Sequence, residues 1–269
     1  MLKLSEKRRK LTVPGFVKAK ADSKKIAMLT GYDFPMAKML DDAGIDSVLV
    51  GDSLGMVVQG KSTTLPVTLD EMIYHGEMVC RAVRYALTIV DMPFGAYHVS
   101  PQQAVKNALR IVKETGADAV KLEGGVDMVE TIAALKKASV PVFGHIGMQP
   151  QSVNTYGGFR VQREEERLLA DAKAIEEAGV FGMVLELIPR SLAEKVTAAV
   201  SVPTIGIGAG PNCDGQVLVT PDMLGQFQGF QPKFVKRFAE LHEAATKAIK
   251  DYISEVQDGT YPDENHSHE

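Results

Sequence analysis

The feature that most constrains the fold is an alternation of short apolar runs with helical segments along the 269-residue chain. Runs of β-branched and aliphatic residues predict buried strands, and the amphipathic segments between them predict helices. This order is typical of βα units in a parallel sheet. The predicted strands are Ile26–Thr30, Asp46–Val50, Leu87–Asp91, Asp118–Glu123, Val140–His145, Gly182–Leu187, Pro203–Ile207 and one near Gln216–Thr220. Together they predict an α/β fold, a (β/α)8 TIM barrel.

Chain length predicts a single barrel domain over residues 1–269. Residues 1–25 are expected to form an N-terminal extension with a short helix. A long amphipathic helix is predicted over Pro232–Val256, and residues 259–269 are expected to form a polar tail.

The N-terminal extension is rich in lysine and arginine, which suits either a nucleic-acid arm or a targeting segment. However, Glu6 and Asp22 interrupt the basic run, and the chain has a net charge of −4. We therefore interpret it as a solvated extension, in which Thr12 caps a short helix that contains Pro14 in its first turn. The net charge gives no reason to expect a nucleic-acid or membrane partner.

The cysteines and the hydropathy of the chain predict its cellular compartment. Cys80 and Cys213 match no metal-ligand spacing, which favours a reducing cytoplasm. We expect no secretory signal and no membrane span, because no apolar run is long enough for one.

Charged and polar residues stand where the predicted strands end. They are Asp52, Asp91, Lys121, Glu123, His145 and Glu186. Taken singly, an aspartate there is often a helix cap and a histidine is often part of the core. In barrel enzymes, however, the active site lies at the C-terminal ends of the strands, so six such residues on one rim predict an active site.

Strand alternation predicts which way these side chains point. Val48, Val50 and Asp52 share one face of a strand, so Asp52 is expected at the barrel mouth if that face is the inside. Lys121 and Glu123 also lie two residues apart and face the same way.

Three of the carboxylates are expected to share a cation. Asp52, Asp91 and Glu123 end neighbouring strands, which lie about 4.8 Å apart. Two such charges about 5 Å apart repel by roughly 3 kcal/mol at an effective dielectric constant near 20. Oxygen ligands favour Mg²⁺ or a similar hard ion over zinc.

A divalent ion beside a lysine suits the chelation of a 2-oxo acid, whose ketone it would polarise. Lys121 is expected to hold the substrate carboxylate, and Ser53 to donate a hydrogen bond to the substrate. Glu186 is the best candidate for the base, because apolar neighbours in its strand would raise its pKa towards the working range. His145 could orient Glu186 or relay a proton, and the sequence does not decide between these roles.

Several motifs resemble those of ketopantoate hydroxymethyltransferases over nearly the whole chain. They are Thr30-Gly31-Tyr32-Asp33, Val50-Gly51-Asp52-Ser53-Leu54-Gly55-Met56, Thr64-Leu65-Pro66-Val67-Thr68, Asp91-Met92-Pro93-Phe94, Lys121-Leu122-Glu123-Gly124-Gly125, Gly144-His145-Ile146-Gly147, Pro150-Gln151-Ser152-Val153-Asn154 and Gly206-Ile207-Gly208-Ala209-Gly210. The resemblance implies a barrel of the phosphoenolpyruvate/pyruvate-type superfamily. It also implies Mg²⁺-dependent transfer of a hydroxymethyl group from 5,10-methylenetetrahydrofolate to 3-methyl-2-oxobutanoate, through a metal-stabilised enolate, to give 2-dehydropantoate for pantothenate synthesis.

The resemblance also implies individual roles. Asp52 and Asp91 would bind the metal directly, and Glu123 would do so directly or through water. Asp52, Ser53, Asp91 and Lys121 would hold the 2-oxo acid, and Glu186, near His145, would serve as the base. The family also implies a homo-oligomer, commonly a decamer.

One departure concerns the segment after Gln162, where many relatives carry a longer glycine-containing loop. Here Arg163–Arg167 leads almost directly into a predicted helix. The same metal carboxylates would also serve a Mg²⁺-dependent carbon–carbon lyase or a phosphonomutase of the same superfamily, and these are the alternative functions.

Overall fold

Eight parallel strands close into a barrel in the structure, a computed structural model that describes residues 8–228 and 231–268. Each strand pairs with its sequence neighbours, and β8 pairs with β1 to close the sheet. The strands are β1 (Ile26–Thr30), β2 (Ser47–Val50), β3 (Leu87–Asp91), β4 (Ala119–Lys121), β5 (Val142–Gly147), β6 (Gly182–Glu186), β7 (Thr204–Ile207) and β8 (Gly215–Leu218). The prediction of a (β/α)8 barrel is confirmed, including its weakly marked last strand.

Helices alternate with the strands, as right-handed parallel connections require. They are α1 (Val13–Ala21), α2 (Phe34–Ala43), α3 (Leu54–Val57), α4 (Leu69–Ala82), α5 (Pro101–Thr115), α6 (Val129–Lys137), α7 (Val153–Tyr156), α8 (Glu165–Ala178), α9 (Arg190–Ala199), α10 (Thr220–Met223) and α11 (Leu241–Gln257). The chain forms two compact units, of which the first ends at Leu218 and contains the barrel, and the second begins at Val219. The single-domain assignment of residues 1–269 stays a prediction.

The strands divide their side chains between two buried layers. One layer joins strand residues to the surrounding helices, and the other fills the barrel interior. Val48 and Val50 belong to the helix layer, whereas Leu49 belongs to the interior, so the face of the valines is not the inside of the barrel. Asp52 nevertheless reaches the buried rim, because β2 ends at Val50 and the chain turns at Gly51.

Helix α1 packs against the N-terminal end of the barrel interior. Its Phe16 is fully buried, with ring centroids 5.7 Å from Phe143 and 5.6 Å from Phe181 in edge-to-face contacts. Burying one such aromatic side chain contributes about 1.5–3 kcal/mol. Thr12 caps this helix, as predicted, by accepting a hydrogen bond from the backbone of Gly15.

The interpretation of the basic N-terminal stretch as a solvated extension is confirmed only in part for the residues that the structure describes, because Arg9, Lys18 and Lys25 are exposed whereas Phe16 and Ala19 are buried against the barrel. Several of its cations pair with aspartates. Most of these aspartates lie at the N-terminal ends of strands, where backbone amides need acceptors. Lys3 and Lys7 lie outside the described residues. The pairs are Lys10 with Asp118, Lys20 with Asp214, Lys24 with Asp46 and Arg8 with Asp41. The stretch therefore neutralises carboxylates of the barrel.

In the second unit, α11 starts at Leu241 rather than near the predicted Pro232. The backbone amides of Phe238 and Leu241 donate to carbonyls of Met223 and Leu224 at the end of α10. Those long-range bonds replace the helical bonds that the sequence pattern favoured. Within the described residues, no helix combines the length and the apolarity needed to cross a bilayer.

Candidate active site

The polar residues of the C-terminal rim continue the interior face of four consecutive strands. In each of β3 to β6, an apolar interior residue is followed two positions later by a polar one, which the two-residue period keeps on the same face. These pairs are Ile89 and Asp91, Ala119 and Lys121, Phe143 and His145, and Val184 and Glu186. Strand geometry alone therefore delivers four of the predicted site residues to the barrel mouth.

Asp52 and Asp91 lie side by side, each at most 4% exposed. The backbone amide of Asp52 donates to Asp91 Oδ2 at 3.1 Å, and Lys121 Nζ lies 2.8 Å from Asp91 Oδ1. The turn that presents Asp52 requires glycine at position 51, because a Cβ there would lie 2.7 Å from Ser53 Oγ. The predicted neighbours are thus in contact.

Glu123 joins this group through a residue that sequence reasoning did not assign. The side-chain amide of Gln151 donates to Asp52 Oδ2 at 2.9 Å, and its backbone amide donates to Glu123 Oε2 at 3.0 Å. Tyr97, likewise unassigned, donates from its hydroxyl to Gln151 Oε1 at 2.7 Å. The only sequence signal for Gln151 was its place in the Pro150–Asn154 motif.

His145 lies between two carboxylates. Its Nε2 is 3.3 Å from Glu186 Oε2, and its Nδ1 is 3.7 Å from Glu123 Oε1, although neither approach has hydrogen-bond geometry. Gly147, at φ 95°, lets β5 pass close to β6, since a Cβ there would lie 2.3 Å from the carbonyl oxygen of Glu186. The candidate base and the carboxylate group therefore share one histidine neighbour.

Ser53 is held by a second unassigned tyrosine. Its Oγ lies 2.8 Å from the hydroxyl of Tyr32, which follows β1. The structure thus brings all seven predicted site residues to one rim and adds Tyr32, Tyr97 and Gln151 to them.

Burial and mutual repulsion dominate the electrostatics. Burial, followed by the charge of Asp91, raises the pKa of Asp52 to about 7. Burial and Asp52 raise the pKa of Glu123 well above its usual value. Burial acts to lower the pKa of Lys121, but the surrounding carboxylates outweigh it and raise that pKa, whereas burial and Lys121 lower the pKa of His145. Without a further cation, the site disfavours full ionisation of its carboxyl groups.

The donor set fits Mg²⁺ by its chemistry. Among the residues described, no three His, Cys, Asp or Glu side chains already converge as a cage around an ion. Mg²⁺ does not need such a cage, since it is usually bound through one or two carboxylates, water and substrate. Asp52, Asp91 and Glu123 supply oxygen donors, and Lys121, which pairs with Asp91 Oδ1 at 2.8 Å, offsets only part of their negative charge.

A cavity of about 380 Å³ adjoins the site. Glu123 and Gln151 line it together with Tyr97, Arg167 and Asp171. Because Glu123 and Gln151 also contact the buried group, the cavity and the candidate active site share a wall.

Solved structures of low sequence identity share the fold. A 2,3-dimethylmalate lyase of the PEP mutase/isocitrate lyase superfamily aligns with a TM-score of 0.60 at 17% identity, covering 95% of this chain and 91% of that one. A phosphonopyruvate hydrolase solved with oxalate and Mg²⁺ aligns with a TM-score of 0.61 at 11% identity, covering 94% and 92%. These likenesses establish the barrel fold.

Sequence comparisons are more specific. A 3-methyl-2-oxobutanoate hydroxymethyltransferase of Clostridium botulinum is 52% identical over 262 residues, 96% of this chain and 95% of that protein. The enzyme of the same name from Moorella thermoacetica is 53% identical over 264 residues, 97% and 98% of the two chains. The model of the ketopantoate hydroxymethyltransferase family matches residues 10–264. The chain therefore belongs to the ketopantoate hydroxymethyltransferase family.

Proposed function

We propose that this protein transfers a hydroxymethyl group from 5,10-methylenetetrahydrofolate to 3-methyl-2-oxobutanoate, forming 2-dehydropantoate for pantothenate synthesis. Water supplies the hydroxyl oxygen, and tetrahydrofolate leaves. The observation that carries the proposal is the position of His145, within 3.7 Å of both the candidate base Glu186 and the carboxylate Glu123. This position supports the proposal, because it links a candidate proton acceptor to carboxylates that could bind a metal-chelated 2-oxo acid. The relatives at about half identity carry the name of this activity.

The cation is proposed to be Mg²⁺, held by Asp52 and Asp91 directly and by Glu123 directly or through water. When bound, Mg²⁺ would polarise the ketone of the 2-oxo acid and so acidify the hydrogen on C3. Lys121 stays protonated among these carboxylates and is available to hold the substrate carboxylate. Ser53, oriented by Tyr32, is placed to donate a hydrogen bond to the substrate.

Glu186 is proposed as the base that removes the proton from C3. Its side chain is 14% exposed, so it is accessible from the rim while the carboxylates behind it are almost fully buried. His145 stays neutral because burial and Lys121 lower its pKa. A neutral imidazole can donate one hydrogen bond to Glu186 and thereby fix the direction of the carboxylate, which makes orientation its proposed role.

The test is exchange of the C3 hydrogen of 3-methyl-2-oxobutanoate for deuterium, followed by proton NMR in deuterated buffer without folate. We expect exchange with Mg²⁺ and none with chelator. Glu186→Gln and Asp52→Asn should each abolish it, since one lacks the base and the other weakens the cation site. Glu177→Gln, the same change at an exposed position on α8, is the matched control and should exchange normally.

If the folded, Mg²⁺-loaded protein shows no exchange, the experiment is repeated with tetrahydrofolate, in case folate must bind first. No exchange in the presence of tetrahydrofolate would contradict the proposal and favour the lyase or phosphonomutase alternative. Exchange that persists in Glu186→Gln would instead remove Glu186 from the role of base.

We further propose a cytoplasmic homo-oligomer, a decamer as the resemblance implies. Both cysteines are free, as a reducing compartment requires. Ile249, Tyr252, Ile253 and Val256 recur at helical spacing along α11 and are exposed, which suits a subunit interface. Light scattering coupled to gel filtration tests this, and a monomeric mass would contradict it.

A further inference from the structure

Gln151 occupies a position that the proposed mechanism does not use. It lies in the short 3₁₀ turn Pro150–Ser152 after β5, and its side chain is almost fully buried. Its amide reaches Asp52, which is 99 residues away in sequence, and Glu123 is bound through its backbone. A single neutral residue therefore bridges two carboxylates that repel each other.

The hydrogen bonds of Gln151 are complete and directional. Nε2 donates both of its hydrogens, to Asp52 Oδ2 at 2.9 Å and to the carbonyl oxygen of Met92 at 3.0 Å. Oε1 accepts from the hydroxyl of Tyr97 at 2.7 Å. An amide has two donor hydrogens and one acceptor oxygen. In Gln151 both donor hydrogens face acceptors, and the oxygen faces a donor.

Tyr97 determines which way round the amide sits. The backbone amide of Glu123 donates to the Tyr97 hydroxyl oxygen at 3.1 Å. The single hydroxyl hydrogen has two acceptors in reach, Gln151 Oε1 at 2.7 Å and the carbonyl oxygen of Glu123 at 3.3 Å, and the shorter distance favours Gln151. A flipped Gln151 would present its oxygen to the carboxylate of Asp52 and its NH₂ to the hydroxyl. The flip would place the amide oxygen against the acceptors Asp52 Oδ2 and the Met92 carbonyl oxygen, and Tyr97 would lose its shorter acceptor.

The result is that one oxygen of each carboxylate is already held by the chain. Gln151 holds Asp52 Oδ2 and Glu123 Oε2, and the backbone of Asp52 holds Asp91 Oδ2. Because Asp91 Oδ1 pairs with Lys121 at 2.8 Å, the second oxygens of Asp52 and Glu123 are the ones that we expect to bind other ligands. Outer partners that fix carboxylates in this way commonly change metal affinity 10- to 100-fold when they are removed.

We propose that Gln151 is a positioning residue that orients Asp52 and Glu123 for a divalent cation, and that Tyr97 acts through Gln151 by fixing its amide. The inference rests on the proposed function, because it takes the cation to be bound by these carboxylates. Neither residue is assigned contact with the substrate.

The test measures Mn²⁺ affinity directly, by electron paramagnetic resonance of free Mn²⁺, in the absence of substrate. Gln151→Met keeps the length of the side chain and the backbone bond to Glu123 but removes the amide. We expect its dissociation constant to rise by about 10- to 100-fold. Tyr97→Phe, which keeps the ring, should raise it less, and should add nothing in the Gln151→Met background.

Gln149→Met is the matched control, because Gln149 lies in the same segment and its side chain is hydrogen-bonded to Ser152 instead. It should bind Mn²⁺ like the parent. Thermal unfolding in chelator, recorded for all variants, distinguishes positioning of the carboxylates from a purely structural role. A purely structural role would lower the melting temperature and leave Mn²⁺ affinity unchanged.

The outcomes separate the two proposals. A parent protein that binds no Mn²⁺ would overturn the metal assignment and this inference together. A parent that binds Mn²⁺ while Gln151→Met binds it equally well would overturn this inference alone. Additive effects of Tyr97→Phe and Gln151→Met would show that Tyr97 does not act through Gln151.

Discussion

The two ends of the barrel use aspartates in opposite ways. At the N-terminal end, Asp118 Oδ2 accepts hydrogen bonds from the backbone amide and hydroxyl of Thr88 at 2.8 and 2.7 Å, and Lys10 Nζ lies 2.7 Å away. Asp214 makes the same pair of hydrogen bonds with Thr204 at the start of β7. Each of these carboxylates accepts two hydrogen bonds from a threonine and pairs with a lysine.

At the C-terminal end, the carboxylates are deeper and have fewer donors. Gln151 donates a hydrogen bond to each of Asp52 and Glu123, and burial raises the pKa of both carboxyl groups. A saturated carboxylate stabilises the fold, whereas an unsaturated one retains capacity for a ligand. The difference teaches that the number of donors around a strand-end aspartate, rather than the aspartate itself, separates structure from chemistry.

The largest effect is expected when an aspartate is changed to asparagine at each end of the barrel, which tests the comparison directly. Asp52→Asn should lower kcat by about 10³-fold, because metal polarisation supplies several kcal/mol to the reaction. Asp214→Asn should keep kcat and lower the free energy of unfolding by about 1–3 kcal/mol, since it weakens the bonds to Thr204 and Lys20. Steady-state kinetics and urea unfolding of both variants check this. Similar kinetic losses at both ends would contradict the distinction.

The second prediction concerns pH. Folded, metal-free protein holds a proton on Asp52 up to a pKa of about 7, whereas the unfolded chain releases it near 3.8. The folded state therefore binds the extra proton between these values, and stability falls as pH rises through that window. From pH 5 to 8 the loss attributable to Asp52 is about 3 kcal/mol, at about 1.4 kcal/mol per pH unit.

Urea unfolding in chelator at the two pH values measures that loss. Asp52→Asn should show a smaller decrease, because its amide does not titrate in this range. Mg²⁺ should stabilise the parent more at pH 8 than at pH 5, since cation and proton compete for the same carboxylates. Stability that rises with pH in chelator would refute the electrostatic description of this rim.

The third prediction sharpens the structural side of the comparison. Asp41, 2% exposed, accepts hydrogen bonds from the backbone amides of Arg84, Tyr85 and Ala86 at 2.8 to 3.3 Å. Asp41→Asn replaces one acceptor oxygen with an NH₂ group that faces these donors, and should cost about 2–3 kcal/mol of unfolding free energy. Asp42→Asn, an exposed neighbour, is the control and should cost under about 0.5 kcal/mol. A normal kcat for folded Asp41→Asn is also expected.

The smallest effect concerns the basic segment. Lys20 Nζ contacts Asp214 and the carbonyl oxygens of Thr197 and Val202, at 2.7 to 3.2 Å. Lys20→Met should lower the melting temperature through a loss of about 1 kcal/mol. Lys18→Met, which removes an exposed pair with Asp22, should leave the melting temperature within error. Equal shifts in melting temperature for the two variants would mean that Lys20 contributes no more to stability than an exposed lysine does.

Local patterns predicted much of this protein because they act over a few residues. Apolar runs and turn signals located all eight strands, and a two-residue period placed Lys121 on the same face as interior Ala119. The same period misled at β2, where Val48 and Val50 face the helices and the turn at Gly51 redirects the chain before Asp52. Periodicity holds only as long as the strand does.

By itself the sequence determined the barrel, its family and the identity of the polar residues at its C-terminal rim, because strand order and side-chain alternation follow from short-range chemistry. Only the tertiary structure decided which donors each carboxylate receives. Gln151 reaches Asp52 across 99 residues, and Lys20 reaches Asp214 from the other end of the barrel chain. Such contacts depend on closing the sheet upon itself, so no local pattern encodes them.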